Sequence, residues 1–386
     1  MGVRRLLTGV VAAGLAALAC LAVWPAFDAP VKWTPDGLYY QARVLEIRGT
    51  GHDAALRRTF EGPISAKLRA RDPQKTGNAA WVKYNEPFYE RRLAVPLAAA
   101  ALYPLAGDRS LLYLSLGGYV AAILVLFGLL LLRFRLAIAT GVAAAAAFLP
   151  PLVDHSSYPL TDSWGLALEI VAFAAALLAL ERGRRWLLLW IGAIALLSLV
   201  RDSTWIPVLA AGWCALRFRT RMPVTLFVTG VVAALPALLV FTTPARDLLA
   251  LLVNNSQVPA DTSWGFVASH YPRAVFELVR ANVGFLRRGE WYTALFLVGG
   301  VVALVLLVRR RLSEVWPSFL TAGVVVAFGY VLAAPVFSAF RLELVFVPMA
   351  AYGLALATER IAAHAGERGG ALERVALRIP VRTRRS

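Results

Sequence analysis

The sequence predicts an all-α, polytopic membrane protein of about ten transmembrane helices with an amphipathic first outer loop. Its 386 residues are 59% hydrophobic and only 16% charged, and the mean hydropathy is +0.64, outside the composition of soluble domains. Four short arginine clusters separate long apolar runs: Arg133/Arg135, Arg182/Arg184/Arg185, Arg217/Arg219/Arg221 and Arg309/Arg310/Arg311. Arginine and lysine in short loops mark the cytoplasmic side. With the clusters inside, both termini are cytoplasmic. Asp28, Asp36, Asp154, Asp162, Arg201, Asp202 and Arg341 then fall together on the opposite face. The net charge of +17 resides largely in these membrane-flanking clusters and the tail, a distribution that argues against a nucleic-acid partner.

The first apolar run, 6–27, follows Arg4/Arg5 and has about 22 residues, longer than the ~7–15 of a cleaved leader's apolar core. It is expected to be a retained signal anchor. Residues 17–20 match a lipoprotein cleavage box only imperfectly, so Cys20 reads as a buried apolar cysteine. Cys214 lies in another apolar run, toward the other membrane face, and no disulfide is expected.

Nine further spans are expected at 110–132, 136–153, 162–180, 186–200, 203–216, 223–241, 291–308, 316–334 and 342–361. The run 93–106 is too short to span, since 14 residues reach roughly 21 Å against a ~30 Å hydrocarbon core. If it did span, every later arginine cluster would face outward, so it reads as an interfacial helix on the outer face. The short runs 186–200 and 203–216 meet at Arg201-Asp202. Charges there are tolerated only against protein, water or the interface, so this hairpin is expected to end below the membrane surface, lining a cavity.

Two long outer loops remain, 28–109 and 242–290, neither with the composition of an independent soluble domain, and a basic cytoplasmic tail at 362–386 follows the membrane domain of 1–361. The chain holds no internal repeat, Walker loop, dinucleotide fingerprint, His-Glu-x-x-His helix or Cys-x-x-Cys pair. Nucleotide-driven transport and soluble-type zinc hydrolysis therefore lack their usual signatures.

Three constellations carry the candidate chemistry. Asp36, just beyond the first span beside Tyr39 and Tyr40, reads either as a helix cap or as a base or metal ligand at the membrane surface. Arg91 and Arg92 either anchor the interfacial helix at the headgroups or hold a phosphate. In Asp154-His155-Ser156-Ser157-Tyr158-Pro159-Leu160-Thr161-Asp162, Thr161 or Asp162 suits a cap, and Asp154 and His155 offer a divalent-metal corner with Asp36. Glu169 lies seven residues beyond Asp162, on the same helix face and roughly 10 Å deeper. Arg201 and Arg341, each at the outer end of a span, have the planar fork that suits a phosphate or pyrophosphate; interfacial snorkelling, or neutralisation by Asp202 and Glu343, is the competing reading.

Taken in order, "FYERRLAVPLAAAALYPLAG", "YPLTDSWGLAL", "SLVRDSTWIP" and "FRLELVFVPMA", together with Asp36 in the first outer loop, resemble the multispanning GT-C glycosyltransferases. That class includes protein O-mannosyltransferases and lipid A aminoarabinose transferases. The resemblance implies a polyprenyl-phosphate-linked sugar as donor, a glycan, lipid or protein acceptor, and inverting transfer at the outer face of a bacterial plasma (inner) membrane. It implies that Asp36 and Asp162 are the acidic catalytic positions. Arg201 and Arg341, with Arg91 and Arg92, would serve the donor phosphate, and Tyr39, Tyr40, Tyr158 and Glu169 the substrate. No cofactor is required, although a divalent metal is compatible with Asp36. Two other readings are a transporter or flippase of lipid-linked substrates, using Glu169, Glu343 and Arg201 as intramembrane groups, and a noncatalytic membrane protein of envelope assembly.

Overall fold

The computed structural model describes residues 2–240, 245–254, 257–336 and 338–376. Every regular element among them is helical. Six helices are long and apolar enough to cross a membrane: Arg5–Asp28, Ala94–Leu131, Asp162–Arg182, Trp291–Arg311, Val315–Ala333 and Glu343–His364. The pair Leu136–Ala147 and Pro150–Ser156, bent by 58° where Pro150 and Pro151 interrupt the run, makes a seventh if counted as one span. Of the remaining expected spans, Leu187–Ser198 and Trp205–Phe218 are short, with 12 and 14 residues, whereas Arg221–Val240 has 20. At 1.5 Å per residue the first two reach about 18 and 21 Å.

Exposed apolar side chains say what surrounds this bundle. Val224, Val228 and Val232 recur every four residues on one helix and are each 42–60% exposed, and Val325, Phe328 and Leu332 form a similar stripe on another. Together with Leu6, Leu7, Val10, Leu21 and Trp24 on the first helix, they make an apolar surface that water would not tolerate and lipid would. The protein is a multi-pass helical membrane protein.

An unbroken helix over Ala94–Leu131 would be about 57 Å long, nearly twice a ~30 Å core. It is broken at Gly107, whose φ of +55° belongs to the left-handed region that glycine enters without strain. Ala94 donates its N–H to the Leu199 carbonyl at 3.2 Å, where Leu187–Ser198 ends, and Arg109 donates to the Phe27 carbonyl at 2.9 Å, where the first helix ends. Both ends of Ala94–Ala106 therefore touch the same end of the bundle, and the helix lies across it.

The two ends of the bundle differ in charge. At one, Arg133 pairs with Glu181, and Arg133 and Arg311 stack over Trp316 at 4.5 and 5.1 Å. At the other lie Asp36, Asp162, Arg201 and Arg341. Asp162 and Glu181 belong to the same helix, Asp162–Arg182, whose 21 residues separate the ends by about 30 Å. The segment 28–109 folds over the second end as short helices, with Tyr39, Phe60, Leu68 and Trp81 packed as a small core of their own. The last helix, Val347–Ala376, continues helically into the expected tail. Residues 377–386 of that tail, and 241–244 and 255–256 at the last span residue and in the second loop, lie outside the described residues.

Candidate functional site

Thr34 starts the helix Pro35–Ile47: its Oγ1 accepts from the Gly37 N–H at 3.1 Å, and Pro35 supplies a first-turn residue whose missing N–H costs nothing. The cap is thus Thr34, and the capping role considered for Asp36 is corrected. Asp36 is left free to point at other side chains. Its Oδ2 takes Arg341 Nη1 at 2.5 Å and its Oδ1 accepts from the Tyr89 hydroxyl at 2.7 Å.

The ion pairs continue through the bundle. Arg341 Nη2 meets Asp162 Oδ2 at 2.8 Å, Asp162 Oδ1 meets Arg201 Nη1 at 2.8 Å, and Arg201 Nη2 donates to the Arg341 carbonyl at 3.2 Å. Asp36, Arg341, Asp162 and Arg201, brought from four distant parts of the chain, form one alternating carboxylate and guanidinium row. Asp162 and Arg201 are only 3% and 5% exposed, so water screens the row weakly. Asp162 also opens a helix, where unpaired N–H groups favour an anion, and neither it nor Thr161 makes a side-chain cap bond. Arg201 is extended, at φ −158° and ψ 157°, in the break between Leu187–Ser198 and the turn Asp202–Thr204. That break turns its side chain inward.

Arg341 is placed by strain. Ala339 and Phe340 both have positive φ, 50° and 64°, which is costly for residues with a Cβ and found mostly where surroundings enforce it. His155 helps enforce it, donating from Nε2 to the Ala339 carbonyl at 3.1 Å. The metal corner expected from Asp36, Asp154 and His155 is not formed. Both Asp36 oxygens are taken, Asp154 is exposed on the wall of a neighbouring cavity, and His155 spends its Nε2–H on the backbone. These residues do not fit an ion, and no step is assigned to one there.

Arg91 and Arg92 meet at Asp202, with Nη2 to Oδ2 distances of 2.6 and 3.2 Å, and Arg92 Nη1 also donates to the buried Tyr40 hydroxyl at 2.7 Å. Asp202 therefore pairs directly with these arginines, while the Arg201 charge acts on it only at longer range. Glu343 does not neutralise Arg341; it accepts from Asn282 Nδ2 at 2.7 Å, from the helix Trp264–Arg287 of the second loop. Tyr39 stacks on Tyr89 at 4.5 Å and donates to the Val82 carbonyl, which fixes the ring that reaches Asp36. Tyr158 packs half-buried beside Tyr40 and Leu160. Glu169 is 1% exposed within its span, with Arg201 among the charges that act on it.

Electrostatics follow from this geometry. Burial alone would raise the Asp36 carboxyl, but the charge and hydrogen bond of Arg341, helped by Tyr89 and Arg92, hold it below the usual carboxylate value. The Tyr89 hydroxyl is driven well above its ordinary value by burial and by the Asp36 charge, so it stays protonated as a donor. Four guanidiniums, of Arg91, Arg92, Arg201 and Arg341, face three carboxylates, of Asp36, Asp162 and Asp202. The Arg201 charge also acts on the buried Glu169.

Two residues here carried no sequence signal for these roles: Tyr89, one aromatic among many, and Gly165. A Cβ on Gly165 would stand 2.9 Å from Arg201 Cδ and 3.2 Å from its Cβ, so only glycine lets the Arg201 stem pass. Gly165→Ala is expected to cost about 1–3 kcal/mol by overpacking and to displace Arg201. An unchanged unfolding temperature in detergent would show that the stem has room to move. A cavity of about 20 Å³, lined by Arg91, Arg201, Asp202 and Trp205, adjoins the row and holds little more than a water. The larger cavity nearby, about 480 Å³, has apolar walls from Val23, Leu112, Phe148 and Val153 and a polar rim of Lys32, Asp154 and Ser157. Comparison with family models, with curated proteins and with solved structures finds no match for this chain.

Proposed function

We propose that the protein is a glycosyltransferase that moves a sugar from a polyprenyl-phosphate donor to an acceptor at the outer face of the membrane. The observation that carries this reading is the row Asp36, Arg341, Asp162, Arg201, gathered at the end of the bundle opposite the arginine clusters. A sugar linked to a lipid phosphate leaves behind an anion, and preorganised guanidiniums stabilise the charge that develops on it. The four guanidiniums of the arginine and aspartate group suit a phosphodiester, which carries one negative charge. The apolar cavity with its Lys32 rim suits the adjoining lipid chain.

In this reading the donor phosphate competes with Asp36 for Arg341. Paired, Asp36 is a poor base because its value is depressed. When the phosphate takes Arg341, that depression relaxes and Asp36 becomes able to accept the proton of an acceptor hydroxyl. Asp162 stays behind to hold Arg341 and Arg201 in register, so donor binding itself prepares the base. The test is purified protein mixed with defined polyprenyl-phosphate sugars and candidate acceptors. Release of the lipid phosphate supports transfer; binding or translocation of the intact donor, with no release under any acceptor, supports a transporter, a reading for which buried Glu169 and Glu343 speak.

The proposal includes the topology: ten spans, with the bent and short helices among them, both termini in the cytoplasm and Ala94–Ala106 at the outer interface. A reporter fused after Arg135 is expected to read as cytoplasmic. An external signal there would invert the later helices and place the row on the wrong side for an outward-facing donor site.

A further inference from the structure

The first outer loop contains a second cluster that the donor site does not use. Glu46 ends the helix Pro35–Ile47, His52 begins the helix His52–Phe60, and Glu86 follows the helix Ala79–Asn85. His52 Nδ1 stands 2.8 Å from Glu46 Oε1, and His52 Nε2 stands 3.1 Å from Glu86 Oε1. One ligand atom from each of the three residues lies within 4.8 Å of the others. Ligands at ~2.0–2.2 Å from one ion stand ~3–4 Å apart, so an ion on one ring nitrogen of His52 draws in the carboxylate that now faces the other.

Two further features distinguish this cluster from an ordinary solvated ion pair. Arg43 Nη1 holds the other Glu46 oxygen, Oε2, at 2.6 Å, which orients the carboxylate with Oε1 toward His52. A void of about 20 Å³ adjoins the carboxylates, lined by Glu46, Glu86, Glu90, Arg43, Tyr39 and Tyr89 but not by His52. Three carboxylates and one guanidinium line that void, in a protein whose net charge is +17. That excess of negative charge beside His52 is what a divalent cation satisfies.

We infer that Glu46, His52 and Glu86 form a site for a divalent transition metal of the zinc class. One imidazole and two carboxylates are a donor set that zinc accepts, with solvent or Glu90 completing the shell. The ion ties together three segments of the loop that local sequence leaves separate. Glu86 lies three residues before Tyr89, whose hydroxyl holds Asp36, and Glu46 lies on the helix whose first turn carries Asp36. Metal at this site therefore fixes the two arms that meet at the Asp36 carboxylate, and its role is structural. The inference stands on the loop alone and does not depend on which donor or reaction the neighbouring site serves.

The test is a titration of the chelator-treated full chain in detergent with Zn²⁺ alone, read by calorimetry and by X-ray absorption. One ion per chain is expected, in a shell of nitrogen and oxygen ligands, with a rise in unfolding temperature on binding. His52→Ala and Glu86→Gln are each expected to weaken binding at least ~10-fold, the lower bound for disturbing even an indirect partner of a metal. His270→Ala, on the exposed face of another helix, is expected to bind as the natural chain does. Unfolding temperatures without metal show whether each variant folds; if His52→Ala does not, Glu86→Gln and Glu46→Gln carry the test. The inference is overturned if the natural chain binds no stoichiometric Zn²⁺, or if folded variants bind it equally well.

Discussion

In the proposed transfer reaction, Asp36→Asn is expected to lower turnover by roughly 100- to 10,000-fold, the usual contribution of a positioned base, while leaving donor binding intact or tighter. Asparagine keeps the shape of the side chain but loses the charge that competes for Arg341, so the donor phosphate no longer has to displace a carboxylate. A fall in kcat together with an unchanged or lower donor KM is the pattern to look for. A purely structural Asp36 gives normal turnover in the folded variant, and that outcome removes it from the chemistry. The same substitution probes acid stability. The folded value of Asp36 lies below that of the unfolded chain. Its ion pair therefore contributes fully above about pH 4 and is lost as pH falls through the depressed folded value. Part of the acid sensitivity of the natural protein is expected to be missing in Asp36→Asn.

Arg341→Ala is expected to be the most damaging single change to the fold, at roughly 3–5 kcal/mol, because it leaves Asp36 and the buried Asp162 without their shared cation. Thermal unfolding in detergent measures it. Arg341→Lys keeps the charge but loses the fork that serves two carboxylates at once, so partial recovery of stability is expected, with poor recovery of donor binding. Equal stability of Arg341→Ala and the natural chain would mean that water already satisfies the row, and the base-release scheme would lose its trigger.

The membrane class was legible from composition, and the two-ended charge distribution from the spacing of the arginine clusters, because both depend on transfer free energies that act residue by residue. Asp36, Asp162, Arg201 and Arg341 were also visible, since a charge at the rim of an apolar run is conspicuous wherever it occurs. Their partners were not visible. Asp202 adjoins Arg201 in sequence, and Glu343 lies two residues from Arg341, yet Asp202 pairs with Arg91 and Arg92 and Glu343 takes Asn282.

Sequence proximity misled because an extended Arg201 and a left-handed turn before Arg341 aim the two side chains away from their neighbours. The pairing of Asp36 with Arg341, 305 residues apart, is a product of helix packing. So is the room that Gly165 leaves for the Arg201 stem. Hydrophobicity and charge sidedness are local sums along a chain, and a sequence therefore carries them openly. An ion pair depends on a separation of a few ångströms in a medium of low dielectric, and that separation exists only after the helices have packed.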